Sequence, residues 1–136
     1  MSVIDTILTA LSAYDPAIGM SRNLVRLAAA DALLIYPDSD IFDPASLREL
    51  LESTYRRRQP VFGFSEALVD AGTLASAFAN ADDLAANLVE LLAAVSEGRL
   101  PAPQYPRYWR VAINNSVARS LDIVIDSTAR SLGDRP

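Results

Sequence analysis

Two short apolar runs constrain this chain more than any other feature. Ala32-Leu33-Leu34-Ile35-Tyr36 stops abruptly at Pro37-Asp38-Ser39, and Val61-Phe62-Gly63-Phe64 stops at Ser65-Glu66-Ala67. Between them lies a segment with its own helix signals. Asp43 is placed to cap it, Pro44 takes the first helical position, and Leu47, Leu50, Leu51 and Tyr55 recur at helical spacing to about Arg57. Strand, crossover helix, strand is the pattern of a parallel pair. Runs that are apolar throughout predict strands covered on both faces. In open α/β sheets, ligands sit beyond the carboxyl ends of such strands. The two polar turns are therefore predicted to lie side by side at one edge and to hold a small molecule.

The remaining pattern extends this unit. Ser2 predicts a helix to about Tyr14, with Ile4, Ile7, Leu8 and Leu11 on one face, ended by Asp15-Pro16. Ser21 predicts a second helix to about Ala29, with Leu24, Val25 and Ala28 inward. Ser65 to Ala71 reads as a short helix closed by Gly72, and Thr73 to Phe78 as a third strand. Asn80 caps the best-marked helix. Asp82 and Asp83 stand in its first turn, Leu84, Leu88, Leu91, Leu92 and Val95 line one face, and Gly98 ends it. Pro101, Pro103 and Pro106 make the next stretch an extended connector. Tyr108 to Ile113 reads as a fourth strand, and Asn114-Asn115 opens a short helix containing Val117, Ala118 and Leu121. The expected architecture is a single α/β domain over residues 1–136. It has a Rossmann-like, mainly parallel sheet flanked by helices, an N-terminal helix and loop over 1–20, and a weakly structured tail over 126–136.

Composition removes whole classes of chemistry. The chain of 136 residues is 51% hydrophobic and 21% charged, enough to bury a core and unlike a disordered segment. No stretch reaches the roughly 18 apolar residues of a membrane span. Cysteine is absent, which excludes disulfides, thiolate metal sites and thiol catalysis. Histidine is absent, which excludes the Ser-His-Asp triad and the commonest zinc ligand. With no lysine, Schiff-base chemistry and a P-loop lysine are excluded too. The net charge of −5 does not suit a nucleic-acid partner. Arg56-Arg57-Arg58 is better explained as a cationic helix C-terminus favoured by the helix dipole. Met1-Ser2-Val3-Ile4-Asp5 lacks the basic start and apolar stretch of a secretory signal.

The ligand-binding candidates are the residues that follow the first two strands. Asp38, Ser39 and Asp40 offer carboxylates and a hydroxyl for a ligand amine; equally, such residues shape turns by bonding nearby backbone. Phe64, Ser65 and Glu66 offer an aromatic ring, a hydroxyl and an acid; equally, Ser65 suits the N-cap of the helix that follows. Tyr108, Trp109, Tyr105 and Tyr55 are read as packing residues. Gly63-Phe64-Ser65-Glu66-Ala67 has a partial likeness to a G-x-S-x-G nucleophile elbow, but the last glycine and any histidine base are lacking, so no catalytic residue is expected. Glu66 with Asp38 and Asp40 forms an oxygen set of the kind Mg²⁺ or Ca²⁺ takes; ligand binding is the preferred role, and no metal or cofactor is expected.

Five blocks in order carry a resemblance. Asp31-Ala32-Leu33-Leu34-Ile35-Tyr36-Pro37-Asp38 resembles the DALLxxPD strand of the ABC-transporter substrate-binding proteins that include the tryptophan and tyrosine binders. Tyr55-Arg56-Arg57-Arg58-Gln59-Pro60-Val61-Phe62-Gly63-Phe64-Ser65 resembles their YRxRxPVxGFS segment, and Val69-Asp70-Ala71-Gly72-Thr73-Leu74-Ala75 their VxAGALA. Leu100 to Tyr108 is similar to an LPPPQYPRY connector, and Val111 to Leu121 to a VxxNxxVARxLG ending. The likeness spans about residues 22–125. Asp122 stands where the family usually has glycine, a change expected to alter the end of that helix. The family's amino-terminal lobe has almost no counterpart here.

The resemblance implies the type I periplasmic-binding-protein fold, with this chain equivalent to the later portion. It implies non-catalytic binding of a small solute such as an aromatic amino acid, an ABC permease partner, and a periplasmic or cell-surface location. The start of the chain keeps a cytoplasmic location open. In the family, the strand at 73–78 and the helix at 80–97 cross to complete the first lobe. Here that helix is expected to lack its docking surface and to fold back on its own sheet or, preferably, to meet a second copy in a homodimer. The other reading is a stand-alone dimeric regulatory or scaffold module that has lost transport. No membrane insertion is expected.

Overall fold

In the computed structural model, residues 15–38 and 41–133 are described. The helix expected over 2–14 lies outside them. Asp15 begins the described chain by accepting the Ala17 N–H with its side chain, which caps a 3-10 turn at Pro16–Ile18. Helix α1 follows at Gly19–Arg26 and tightens into a second 3-10 turn at Leu27–Ala29. The helix thus starts two residues earlier than Ser21 suggested. The reason is Asn23, a fully buried polar side chain that donates to the Asp15 and Gly19 carbonyls and accepts the Asp15 N–H at 2.7 Å. Those bonds fix the phase of α1 and turn Val25 outward, 69% exposed, contrary to its expected inward position.

The sheet has the order β1-β2-β3-β4, with β1 at Leu33–Leu34, β2 at Val61–Gly63, β3 at Ala75–Phe78 and β4 at Arg110–Ile113. The first three strands are parallel and β4 runs antiparallel to β3. Helix α2 at Pro44–Arg56 makes the first crossover. Asp43 caps it through the Ala45 and Ser46 N–H groups. Helix α3 at Glu66–Ala71 makes the second, and ends at Gly72 with φ 124°. This is a Rossmann-like α/β fold built around a mostly parallel open sheet, as the two apolar runs predicted.

Packing departs from expectation in a consistent way. Met20, Leu24, Leu33, Ile35, Leu50 and Val61 form the core under α1 and α2. Leu68 and Ser76 then crowd against Gly63 on the same side of the sheet. The alternate residues face the other way and are not covered: Leu34 is 43% exposed, and Tyr36 and Phe62 are each 37%. The two apolar runs are therefore covered on one face, with the second face apolar but open. On α2 the buried positions are Leu50 and Thr54, whose hydroxyl donates to the Leu50 carbonyl at 2.8 Å, while Tyr55 lies outward. Tyr105 and Trp109 are exposed as well, so three of the four aromatic residues read as packing groups are exposed and the fourth, Tyr108, is only half-buried.

Helix α4 at Ala81–Ser96 carries a capping box: Asn80 accepts the Asp83 N–H, and Asp83 accepts the Asn80 N–H. Of its residues only Asp83 is buried. Leu84, Leu88, Val89, Leu92 and Val95 all lie exposed, so the helix does not fold back on its own sheet. Helix α5 at Asn115–Ser120 is capped by Asn114, and α6 at Ser127–Gly133 lies against β4. Asp122 adopts φ 58°, the left-handed conformation that glycine takes most readily. The Ile123 and Asp122 N–H groups close back on the Ala118 and Arg119 carbonyls, so α5 ends in a Schellman turn despite the side chain. The expected alteration of that helix end does not occur.

Candidate functional site

The carboxyl ends of β1 and β2 lie next to each other because these strands pair in register, Leu34 beside Phe62. The Ile35 N–H donates to the Phe62 carbonyl at 2.8 Å and carries the pairing one residue further. Beyond it the chain turns at Pro37. The Asp38 carbonyl accepts the Phe42 N–H at 3.0 Å, and the Phe42 ring meets Tyr36 edge-on, centroids 6.1 Å apart. Asp38 is half-buried in this turn; Ser39 and Asp40 lie outside the described residues.

After β2, Phe64 packs partly into the core. Ser65 is extended and its hydroxyl makes no capping hydrogen bond to α3, so its expected alternative role as an N-cap is not realised. Its carbonyl accepts the Leu68 N–H instead. Glu66 is exposed in the first turn of α3. Asp38, Phe64, Ser65 and Glu66 thus belong to adjacent strand ends. Among the described residues, no group of three acidic side chains is arranged to hold a metal ion.

A polar framework lies close to this edge. Asp83 receives two hydrogen bonds from Arg110, at 2.7 and 2.9 Å. The guanidinium holds the Asp83 carboxyl below its ordinary range, and Asp83 in turn raises Arg110, with a smaller contribution from Glu66. Glu90 accepts hydrogen bonds from the Tyr108 hydroxyl and from Arg107, which lower its pKa in that order of effect; Tyr108 is raised in return. Nothing local in the sequence announces these pairs, because their members stand 17 to 27 residues apart.

An apolar groove lies elsewhere. A groove of about 730 Å³ crosses the open sheet face. Leu34, Tyr36, Phe62, Ala77 and Val111 form its floor, and Leu132 of α6 closes one side. Its wall is overwhelmingly apolar, and none of Asp38, Phe64, Ser65 or Glu66 lines it. The only sequence signal for it was the unbroken apolarity of the two runs, which reads the same for a covered face and an open one.

No family model and no curated protein matches this chain. Solved structures do. One is a conserved domain protein from Vibrio cholerae, with a TM-score of 0.60 at 20% identity over 88% of this chain and 40% of that one. Another is an ABC domain from Streptococcus pneumonia in complex with L-Trp, with a TM-score of 0.58 at 21% identity over 88% of this chain and 41% of that one. This chain spans about two fifths of the length of each. Among the described residues no helix is long and apolar enough to cross a membrane. At this level of identity the likeness establishes the fold alone: an open, mostly parallel α/β sheet flanked by helices, shared over nearly nine tenths of the chain.

Proposed function

We propose that this chain is a non-catalytic recognition lobe for a small organic solute, part of or derived from an ABC-transporter substrate-binding protein. The observation that carries the reading is the likeness in fold, over 88% of the chain, to a structure in complex with L-Trp. The strand-end edge supports it with the right chemistry: the ring of Phe64, the uncommitted hydroxyl of Ser65, and the carboxylates of Asp38 and Glu66. Ser39 and Asp40 follow Asp38 directly in the sequence. A carboxylate suits a ligand ammonium and an aromatic ring suits an apolar side chain. The proposed ligand class is therefore an aromatic amino acid or a similar amphipathic molecule, delivered outside the cytoplasm to a permease.

The test is isothermal titration of L-Trp and L-Tyr into the folded protein, repeated with Ser65→Ala and Glu66→Gln. Saturable heat that weakens in both variants supports the edge as the site. Heat unchanged by either variant removes the edge. No heat at millimolar ligand removes the aromatic amino acid.

A second reading is favoured by the exposed stripe of α4: a stand-alone dimeric regulatory or scaffold module. Half a cleft covers much less of a ligand than the roughly 70–90% typical of a pocket, so a lobe of this kind needs another body against it.

A further inference from the structure

We infer that the apolar stripe of α4 is the seat of a second copy of this chain, packed helix against helix in antiparallel order. The inference deepens the dimer reading above and rests on it. Helix α4 is attached to its own body by the wrong face. Asp83 binds Arg110, the Asn87 side chain accepts the Arg107 N–H at 3.1 Å, and Glu90 binds Arg107 and Tyr108. These three residues recur at four- and three-residue spacing and form one polar stripe. Leu84, Leu88 and Leu92 lie around the helix from it, in solvent, with Leu91 half-buried.

Leu84, Leu88, Leu91 and Val95 follow one another at intervals of four, three and four, which is the spacing of a coiled-coil seam. The positions beside that seam are Ala85, Asn87, Leu92 and Ala94, none of them charged. In a chain of net charge −5, a second copy can therefore approach here without like charges meeting.

Charge also selects the direction. Asp82 is exposed at the start of α4, and Arg99, just past its end, is already paired with Glu97 of its own chain. Antiparallel packing opposes the two helix dipoles, whereas parallel packing stacks like on like.

The area is sufficient but small. Leu84, Leu88, Val89, Leu92 and Val95 are 48, 54, 66, 59 and 50% exposed. At roughly 100 Å² for a fully exposed side chain, these fractions together offer about 300 Å². Leu100 and Tyr105 on the connector, 89 and 93% exposed, bring the total to roughly 500 Å² per chain and about 1,000 Å² per pair, near the lower bound of a specific interface. The dimer is therefore expected to dissociate in the micromolar range.

Sedimentation equilibrium on the full chain, from low to several hundred micromolar, tests this. The expected result is a reversible monomer–dimer equilibrium that Leu88→Glu with Leu92→Glu abolishes while circular dichroism is unchanged, since both side chains are already exposed. The orientation is read separately. The chain has no cysteine, so an equimolar mixture of Leu84→Cys and Val95→Cys proteins should oxidise to the mixed disulfide, and Leu84→Cys alone should not self-couple. A monomer at every concentration overturns the proposal and points to a different covering body. A dimer that survives the double substitution overturns the seam while leaving dimerisation standing. Self-coupling of Leu84→Cys overturns the antiparallel order.

Discussion

Gly63 and Ser76 sit opposite each other in the β2–β3 ladder and give a sharp test of how tightly the covered face is packed. A Cβ built on Gly63 would stand 2.6 Å from Ser76 Oγ and 2.9 Å from both Cβ and Cδ1 of Leu68. Real Cβ atoms do not approach so closely, so Gly63→Ala must displace β3 or α3. Overpacking of this kind costs about 1–3 kcal/mol. Ser76 is 2% exposed and its hydroxyl has no hydrogen-bond partner. Removing an unsatisfied buried hydroxyl should be neutral or favourable, by up to about 1 kcal/mol. Ser76→Ala is thus expected to stabilise. It should also cut the cost of Gly63→Ala by part but not all, because the Leu68 clash remains. Urea unfolding of the four proteins of the cycle, followed by Trp109 fluorescence and circular dichroism, reads the coupling directly. The packing argument is refuted if Ser76→Ala destabilises by about 1 kcal/mol or more, which would mean the hydroxyl is bonded, or if Gly63→Ala is harmless.

Two further outcomes are expected. Arg58 and Asp122 occupy left-handed turns, φ 55 and 58°, after α2 and α5, and pair with each other at 2.6 Å. Relief of the left-handed cost should outweigh the loss of an exposed ion pair, so Arg58→Gly should stabilise by roughly 0.5 kcal/mol and Asp122→Gly by less, because Asp tolerates this region better; thermal unfolding decides, and a loss of stability in Arg58→Gly would refute it. Asp83 and Glu90 have lowered pKa values, so their contribution is present above the ordinary carboxylate range and is lost as pH falls below it. Amide exchange over α4 should rise on acidification below about pH 4 before the core around Ile35 responds, and α4 protection that is flat through that range would refute the role of these pairs.

What could be read from the residues follows the range of the forces involved. Asp43, Asn80 and Asn114 cap their helices where the sequence places them, because a cap bond spans two or three residues. The parallel pairing of the two apolar runs was equally legible, since length and turn chemistry leave few alternatives. Burial was less so. Thr54 is inside and Tyr55 outside because the hydroxyl can return its bond to the Leu50 carbonyl within the helix. Periodicity counts tyrosine as apolar and threonine as polar, and so reverses them. Asn23 is the same case in stronger form, a polar residue that organises the start of the fold from a fully buried position. The strand-end candidates came from topology, which the fold bears out. The Asp83–Arg110 pair depends on partners far along the chain and left no local mark, and the open groove left only an apolarity that reads the same for a covered face.

The open surfaces bear on the proposed site through one link. Arg110 bonds Asp83 at the start of α4 and also feels the charge of Glu66 in the first turn of α3. The polar face of α4 and the edge proposed to hold a ligand thus both lie within the field of one side chain on β4. A strand-end edge alone is a shallow shelf, and an exposed helix stripe alone is an unpaid hydrophobic cost. Solute recognition and association are then not rival accounts of this chain.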